Sequence, residues 1–469
     1  MVLDIRGKMN MHKDIRAGVF RAYDIRGIVG EGMNESLLYA VGRAFATEVL
    51  KANQTAVIVG YDARESSEPF QKALCKALQE GGVDVINIGV VPTPVLYFAT
   101  TQLKTQSGIM ITGSHNPSNY NGIKLVLAGK TINTDAIQGL YQRILAEDFS
   151  QGTGEYSEVN LIDDYVKTIA DRVHLKRPMK IVVDAGNGVG ALTAKKVYQA
   201  LGCEVIELYC EVDGHFPNHH PDPTIVENLQ DLIAKVKEHE ADIGLGFDGD
   251  ADRVGVVTNT GTIIWPDRFL MLLCKDVLTR YPGAKIPFDV KCSGDLARVI
   301  KEAGGNPVMW KTGHSILKAK MYELDAPIAG ELSGHVFYRD QWFGFDDGVY
   351  VGARLLDVLS KDERSVDAIF SDLPDNINTP ELKVAVPEAK KFKVVDDLIA
   401  SMTFDNAEVT TIDGLRVDFA DAWFLVRASN TTPCLTVRFE AATKDRLSEI
   451  QVLVRDALIK VDSSLEISF

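Results

Sequence analysis

The sequence has no C-x-x-C pair, no long unbroken apolar run and no cluster of basic residues, and each absence excludes a class of protein. Six cysteines in 469 residues, at 75, 203, 210, 274, 292 and 434, give neither zinc-ligand spacing nor a dense disulfide framework. A reducing, cytoplasmic setting is expected. The opening MVLDIRGKMNMHKD has no apolar signal core, and nothing later approaches the roughly 20 apolar residues of a membrane helix, so neither export nor membrane insertion is expected. With 50 Lys and Arg against 65 Asp and Glu, the net charge of -15 repels nucleic acid and anionic membranes. No G-x-S-x-G elbow surrounds the serine of ITGSHNPSNYNG, where Gly113 directly precedes Ser114 and Pro117 follows, so a hydrolase nucleophile is not encoded there.

What the chain does have is length for three or four domains and one pattern used three times. Each copy has an apolar β-type run reaching an Asp, a helical stretch, a glycine turn, a second β-type run, and later a third that ends in polar residues. The first copy reads AVIVGYDARESS, PFQKALCKALQEGG, VDVINIG and SGIMITGSHNP; the second reads KIVVDAGNGVG, ALTAKKVYQALG, CEVIELY and ADIGLGFDGDADR. The third reads KIPFDVKCSG, DLARVIKEAGG, NPVMWKTGH and DAPIAGELSGH. Strands alternating with helices of this length predict right-handed crossovers and at least partly parallel sheets. The fold class expected is α/β, three related modules of mixed sheet with flanking helices, then a smaller C-terminal α+β domain. Boundaries fall at 1–18 (an extension), 19–160, 161–262, 263–375 and 376–469. In open α/β sheets ligands gather at the carboxyl ends of strands, so three modules can each give one loop to a shared cleft.

The clearest chemical signal is Phe247-Asp-Gly-Asp-Ala-Asp-Arg253. Carboxylates at Asp248, Asp250 and Asp252 have period two, so an extended backbone points them to one side, where their repulsion demands a cation. An all-oxygen set indicates Mg²⁺ or another hard ion. An EF-hand needs Gly where Arg253 stands and Glu where Asn259 stands, and an aspartyl-phosphate motif from Asp250 to Val254 is interrupted by Asp248 and Gly249. Two further loops invite a reading. Arg427-Ala-Ser-Asn-Thr-Thr432 combines a guanidinium fork with hydroxyls and an amide and suits a phosphate, the bland alternative being a polar hairpin turned at Asn430. Gly186-Asn-Gly188-Val-Gly-Ala191, with Glu207 downstream, fits a dinucleotide fingerprint, but the other two copies lack such glycines, leaving nucleotide binding a minority reading. The PNHHPDP segment with His219 and His220 is read as a Pro-rich loop without a role. Beside a divalent metal, Ser114 has another use: as phosphoserine it carries roughly −1.5 to −2 charges that metal and cations can neutralise.

In this order, TGSHNPSNYNG, FDGDADR, GELSGH and RASNTTP resemble the α-D-phosphohexomutase superfamily, and with VFRAYDIRGIVG and DQWFGFDDG they look most like its bacterial phosphomannomutase/phosphoglucomutase branch. The resemblance covers the chain from about Val19 onward. It implies four domains around one deep cleft and an isomerase that moves phosphate between the 1 and 6 positions of a hexose. Ser114 aligns with a serine that is phosphorylated at rest and completes a Mg²⁺ shell, one ion per chain, with Asp248, Asp250 and Asp252. Arg26, Lys124 and His335 align with residues assisting proton transfer or charge stabilisation. Arg253, Tyr23, Lys291 and His314 align with cleft residues that contact substrate, Glu331 and Ser333 with the loop gripping sugar hydroxyls, and Arg427, Ser429, Asn430 and Thr431 with the phosphate clamp. Hexose 1,6-bisphosphate is the implied intermediate and activator.

Substrate choice rests on Glu331-Leu-Ser-Gly-His335, which fits a dual mannose and glucose pattern, whereas phosphoglucosamine mutases usually have Gln where Leu332 stands. Glucosamine phosphates remain the alternative, followed by a protein that only binds sugar phosphates. DIRG or DIRA recurs at 4, 14 and 24, and only Asp24-Ile-Arg26-Gly has the family context, so the earlier residues are read as an extension or a misplaced start. The partners expected are small sugar phosphates, with no nucleic acid or membrane and with monomer and dimer both open.

Overall fold

The apolar runs of the three repeats form three trios of parallel strands with one common order. The computed structural model describes residues 15–21, 23–103, 105–430 and 432–469. They fall into two compact units: the chain up to Phe269 together with Ser333–Phe370, and Leu270–Leu332 together with Ser371–Phe469.

In the first unit, strand Ala56–Tyr61 is flanked by Asp84–Val90 and Gly108–Ile111, both parallel to it. Strand Lys180–Asp184 is flanked in the same way by Glu204–Leu208 and Ile243–Phe247. In each trio the first strand in sequence is central, the second lies on one side and the third on the other. Chain direction therefore switches between strands one and three, which is where open α/β sheets build their sites. Antiparallel strands extend both sheets on the third-strand side. Tyr120–Leu127 pairs with Gly108–Ile111 and carries Ile25–Ile28 beyond it, and Val254–Thr258 pairs with Ile243–Phe247.

Burial follows the apolar pattern. Val57, Val59, Ile109 and Ile111 are fully buried with Leu37, Val41, Phe45 and Leu74 of the helices Glu35–Lys51 and Ser67–Glu80. Each such side chain contributes roughly 1.5–3 kcal/mol by leaving water. Asn34 caps the first of these helices by accepting the N–H of Leu37. Ile15, Val19 and Phe20 join this core, so the packed structure includes residues ahead of the first strand, while Asp4 and Asp14 lie outside the described residues.

In the second unit, Lys285–Asp289 lies between parallel strands Asn306–Trp310 and Ile328–Gly330, repeating the same order. A separate antiparallel sheet runs Ile377–Asn378, Cys434–Ala441, Ala422–Ala428, Leu415–Asp418, Glu408–Thr410, covered by helices Lys391–Ser401 and Lys444–Val461. Arg416, 1% exposed, fastens the two sheets of this unit: Nη1 donates to the carbonyls of Val290 and Cys292, each at 2.7 Å, and the guanidinium lies 3.9 Å from the Trp423 ring centre. Among the described residues, no helix is long and apolar enough to cross a membrane.

Candidate active site

In the first unit, Ser114 follows strand Gly108–Ile111 in a loop that turns back into Tyr120–Leu127. Its φ of +48° lies in the left-handed region that non-glycine residues rarely adopt, and the residue is buried. Its N–H donates to Thr112 Oγ1 at 2.8 Å, and its hydroxyl donates to Asp248 Oδ2 at 2.9 Å. His115 Nδ1 lies 3.2 Å from the same hydroxyl. Burial first, then the charges of Arg253 and Arg26, hold His115 well below the usual imidazole range, so its ring is neutral. Serine loop and acidic loop, 134 residues apart in sequence, thus touch directly. Gly249 permits the approach, because a Cβ there would come within 2.4 Å of the Ser114 carbonyl oxygen.

Asp248, Asp250 and Asp252 are fully buried, and one oxygen of each lies within 4.8 Å of the others. Three buried like charges are costly unless compensated. Two protein cations are already committed. Lys124 Nζ donates to Asp250 Oδ2 at 2.7 Å and also to Asp252 Oδ2, while Arg253 Nε donates to Asp248 Oδ2 at 3.0 Å. Thr93 Oγ1 donates to Asp250 Oδ2 at 2.5 Å. The Oδ1 atoms of Asp250 and Asp252 are buried with no hydrogen-bond partner. Buried acceptors are rarely left so, and a hard divalent cation satisfies oxygens of this kind, so the donor set fits a magnesium-type ion. Burial and the neighbouring carboxylates push Asp248 upward against the pull of Arg253. Asp250 goes the other way, since Lys124 and Thr93 outweigh its burial and hold it below the ordinary carboxylate range.

Three more expected residues converge on these loops. Arg26, on strand Ile25–Ile28, donates through Nη1 to Asn116 Oδ1 of the serine loop and pairs through Nη2 with Asp24 at 2.6 Å. His335 forms an antiparallel bridge with Arg253, and its Nδ1 lies 3.1 Å from Asp346 Oδ2 and 3.6 Å from Asp252 Oδ1. Lys124 arrives on the strand beside Gly108–Ile111, opposite Met110. Tyr23 is half-buried in the bend before strand Ile25–Ile28, and Ser333 is half-buried just ahead of Gly334.

The second unit gathers its own set. Glu331 Oε1 accepts the N–H of Gly313, one residue before His314 opens its helix, at 2.8 Å. Asp413 Oδ2 accepts the N–H of Thr312 at 3.0 Å, and the same carboxylate receives Arg427 through Nε at 3.2 Å and Nη2 at 3.3 Å. Asp413 therefore ties the His314 loop to the phosphate-type loop. Lys291, 6% exposed, pairs with Glu381 Oε1 at 2.7 Å. In the loop after Arg427, Ser429 Oγ lies 2.8 Å from Thr432 Oγ1 and accepts the Thr432 N–H at 3.2 Å, while Asn430 is half-buried and Thr431 lies outside the described residues. The sequence reading missed Asp413, Glu381, Asp346, Thr93 and His115. Of these, His115 and Asp346 stood within quoted motifs, TGSHNPSNYNG and DQWFGFDDG, without being given a role.

The glycine fingerprint has no room for a pyrophosphate. The N–H groups of Gly186, Asn187, Gly188 and Val189 donate to Asp184 Oδ1 and to the carbonyls of Tyr209, Ala185 and Gly249. Gly188 also lies where a Cβ would meet the Gly249 carbonyl oxygen at 2.7 Å. Glu207 is paired with Lys195 at 2.5 Å. These glycines press one turn against the acidic loop. His219 Nε2 is bonded to Asp184 and its Nδ1 to the His220 carbonyl, which makes it part of the same packing.

A buried serine set against an all-oxygen cation site, on the carboxyl ends of parallel strands, is the layout of an α/β enzyme acting on anionic groups. Known proteins narrow the class. Four models described as phosphoglucomutase/phosphomannomutase α/β/α domains I, II and III and C-terminal domain match residues 17–151, 163–261, 265–377 and 381–457 in turn. A phosphomannomutase/phosphoglucomutase of Pseudomonas aeruginosa is 52% identical over 453 residues, 97% of this chain and 98% of the relative. A phosphoglucomutase of Neisseria meningitidis serogroup A is 49% identical over 93% of this chain and 96% of its own length. A crystal structure of a phosphoglucomutase/phosphomannomutase family protein from Burkholderia thailandensis superposes with a TM-score of 0.93 at 49% identity, covering 97% of this chain and 100% of that one. The chain belongs to the phosphoglucomutase/phosphomannomutase family.

Proposed function

We propose that this enzyme interconverts hexose 1-phosphates and hexose 6-phosphates of mannose and glucose through a phosphoserine at Ser114 and a hexose 1,6-bisphosphate intermediate. The observation that carries the reading is the 2.9 Å contact of Ser114 Oγ with Asp248 inside a three-carboxylate cluster that keeps two buried oxygens unsatisfied. Asp248, Asp250 and Asp252 would hold one Mg²⁺, which when bound neutralises the phosphoryl oxygens on Ser114.

The chain's own residues carry the rest. The phosphoryl group leaves Ser114 Oγ for the free hydroxyl of the sugar phosphate, and that hydroxyl loses its proton. Lys124 Nζ and His335 Nδ1, both at Asp252, and Arg26, at the serine loop, are the groups that take up this proton or balance the passing charge. Arg253 binds substrate and fixes Asp248 by two hydrogen bonds, from its N–H and its Nε. The bisphosphate then turns over, and its other phosphate returns to Ser114. Arg427, Ser429, Asn430 and Thr431 clamp the phosphate that is not transferred. Glu331 and Ser333 take sugar hydroxyls, and Tyr23, Lys291 and His314 contact substrate. Uncatalysed phosphate-monoester cleavage calls for accelerations up to about 10²¹, which makes this concentration of cations necessary. Six free cysteines fit a reducing, cytoplasmic setting.

Mass spectrometry of freshly purified protein tests the relay. A phosphoryl group on Ser114, lost on adding glucose 1-phosphate with Mg²⁺ as bisphosphate forms, is the expected result. A serine that stays bare even after glucose 1,6-bisphosphate is supplied would overturn it. Turnover compared on mannose 1-phosphate, glucose 1-phosphate and glucosamine 6-phosphate tests the sugar, and a large preference for glucosamine would remove the mannose and glucose reading.

A further inference from the structure

Each repeat begins with a strand that reaches an Asp, and the relay leaves these three residues unused. Asp62, Asp184 and Asp289 are all buried, and each accepts hydrogen bonds from the loops of its own module. In the first module the device is most developed. Asp62 Oδ2 accepts the N–H of Gly113 at 3.0 Å and Arg64 Nε at 3.1 Å, and its Oδ1 accepts the Ser67 hydroxyl and the Arg64 N–H.

Arg64, 2% exposed, then spends its remaining donors on the serine loop. Nη2 donates to the carbonyls of Ser114 at 2.8 Å and Asn116 at 2.6 Å, and Nη1 donates to those of Tyr120 at 3.0 Å and Pro117. A guanidinium has five N–H donors in a fixed fork, and here all five meet acceptors. The loop is moulded onto this group: a Cβ at Gly113 would fall 2.4 Å from Arg64 Cζ. From the other side Phe216 covers the guanidinium, its ring centre 5.0 Å away. The loop being held contains Ser114 in its left-handed conformation, which costs energy unless the surroundings determine it.

We propose that Arg64, oriented by Asp62, is the positioning residue of the phosphoryl-carrying loop, setting where Ser114 Oγ stands when it gives and receives phosphate. The inference rests on the reading of Ser114 as the carrier. Lysine cannot replace this group, because three donors on one atom cannot reach four carbonyls spread along the loop.

The test compares wild type, Arg64→Lys, Arg64→Met and the neutral double variant Asp62→Asn/Arg64→Met. Four quantities are read: the rate at which Ser114 gains phosphate from glucose 1,6-bisphosphate with Mg²⁺, by intact mass; kcat and KM for glucose 1-phosphate; and Tm. A misplaced reacting atom costs about 100-fold, so Arg64→Lys should lose about that much in labelling rate and kcat while KM stays within about threefold. The double variant removes both buried charges together and should recover Tm relative to Arg64→Met alone, yet still label slowly. A purely structural ion pair would instead let labelling recover with Tm. Labelling of Arg64→Lys or of the folded double variant within about threefold of wild type would overturn the inference and leave the carrier reading standing. If wild-type Ser114 cannot be labelled at all, the carrier reading falls and takes this inference with it.

Discussion

The serine loop and the Arg427 loop hold their charges in different ways. Around Ser114 every cation is fixed at several points: Lys124 bridges two carboxylates, Arg253 binds Asp248 through backbone and side chain, and Arg64 makes five contacts. In the second unit Arg427 meets Asp413 at 3.2 and 3.3 Å, longer than the roughly 2.7–2.9 Å of strong charge-assisted bonds. Groups that make and break bonds need fixed positions, because small displacements are costly. Groups that grip a ligand and let it go again are better served by a partner the ligand can displace.

The largest test of that contrast is Ser114→Ala. The change is small in volume and should leave folding intact, while turnover falls by at least about 10⁴-fold, as when a nucleophile is removed. Equal losses in Ser114→Ala and Arg427→Ala, both in kcat with KM unmoved, would break the distinction between the two loops.

Metal removal comes next. Stripping divalent ions with a chelator should stop turnover, and Mg²⁺ returned at about 100 times its Kd should raise stability by about 2.7 kcal/mol if it binds only the folded state. The gain should be lost in Asp250→Asn, because Asp250 Oδ1 is one of the two carboxylate oxygens of the cluster buried without a hydrogen-bond partner. A stabilisation by Mg²⁺ that survives this substitution would place the ion elsewhere.

Arg427→Ala should act on binding. Losing a charged hydrogen-bond partner costs about 1.5–3 kcal/mol, hence a KM raised roughly 10- to 150-fold, with kcat reduced far less. Asp413→Asn sharpens the point: it weakens the hold on Arg427 that phosphate must displace, so inorganic phosphate should bind Arg427 more tightly in this variant. Weaker phosphate binding would instead make Asp413 an essential support of the clamp.

Much of this arrangement is readable from the sequence, for a definite reason. The three repeats announce themselves because apolar β-type runs and helical stretches recur in one order, and the carboxyl ends of their third strands are where TGSHNP, FDGDADR and GELSGH lie. The carboxylate triad is legible because its members are local, but the extended backbone expected there is instead a turn, with Ala251 at a φ of +58° and its N–H donating to the Asp248 carbonyl at 3.0 Å. Arg64 is not, because within YDARESS nothing local separates a surface arginine from one that donates to carbonyls some 50 residues away. Asp413-Gly414 reads as an ordinary hairpin turn, and only the pairing of strands Leu415–Asp418 and Ala422–Ala428 brings it to Arg427. The dinucleotide fingerprint misleads for the complementary reason: its spacing is local, but the groups that use up its N–H donors come from Tyr209 and Gly249.

The smallest expected effect concerns a fixed charge that takes no part in the chemistry. Burial disfavours the charged form of His219, but the hydrogen bond and charge of Asp184 outweigh it and raise its pKa above the ordinary 6.5. A histidine whose folded pKa is raised stabilises the protein fully below the unfolded value, and the contribution disappears as pH rises through the folded value. The stability difference between wild type and His219→Gln should therefore be largest near pH 6 and should shrink as the pH climbs past 6.5 and through the raised value, read as Tm in the two proteins side by side. Turnover at saturating substrate should change little, since His219 holds the turn at Gly186 against Asp184 and does not touch Ser114 or the three carboxylates in any described contact. A kcat that follows the same pH profile as Tm would tie this packing charge to the serine loop through the segment that carries Phe216, and the line between charges that hold and charges that react would have to be redrawn to include it.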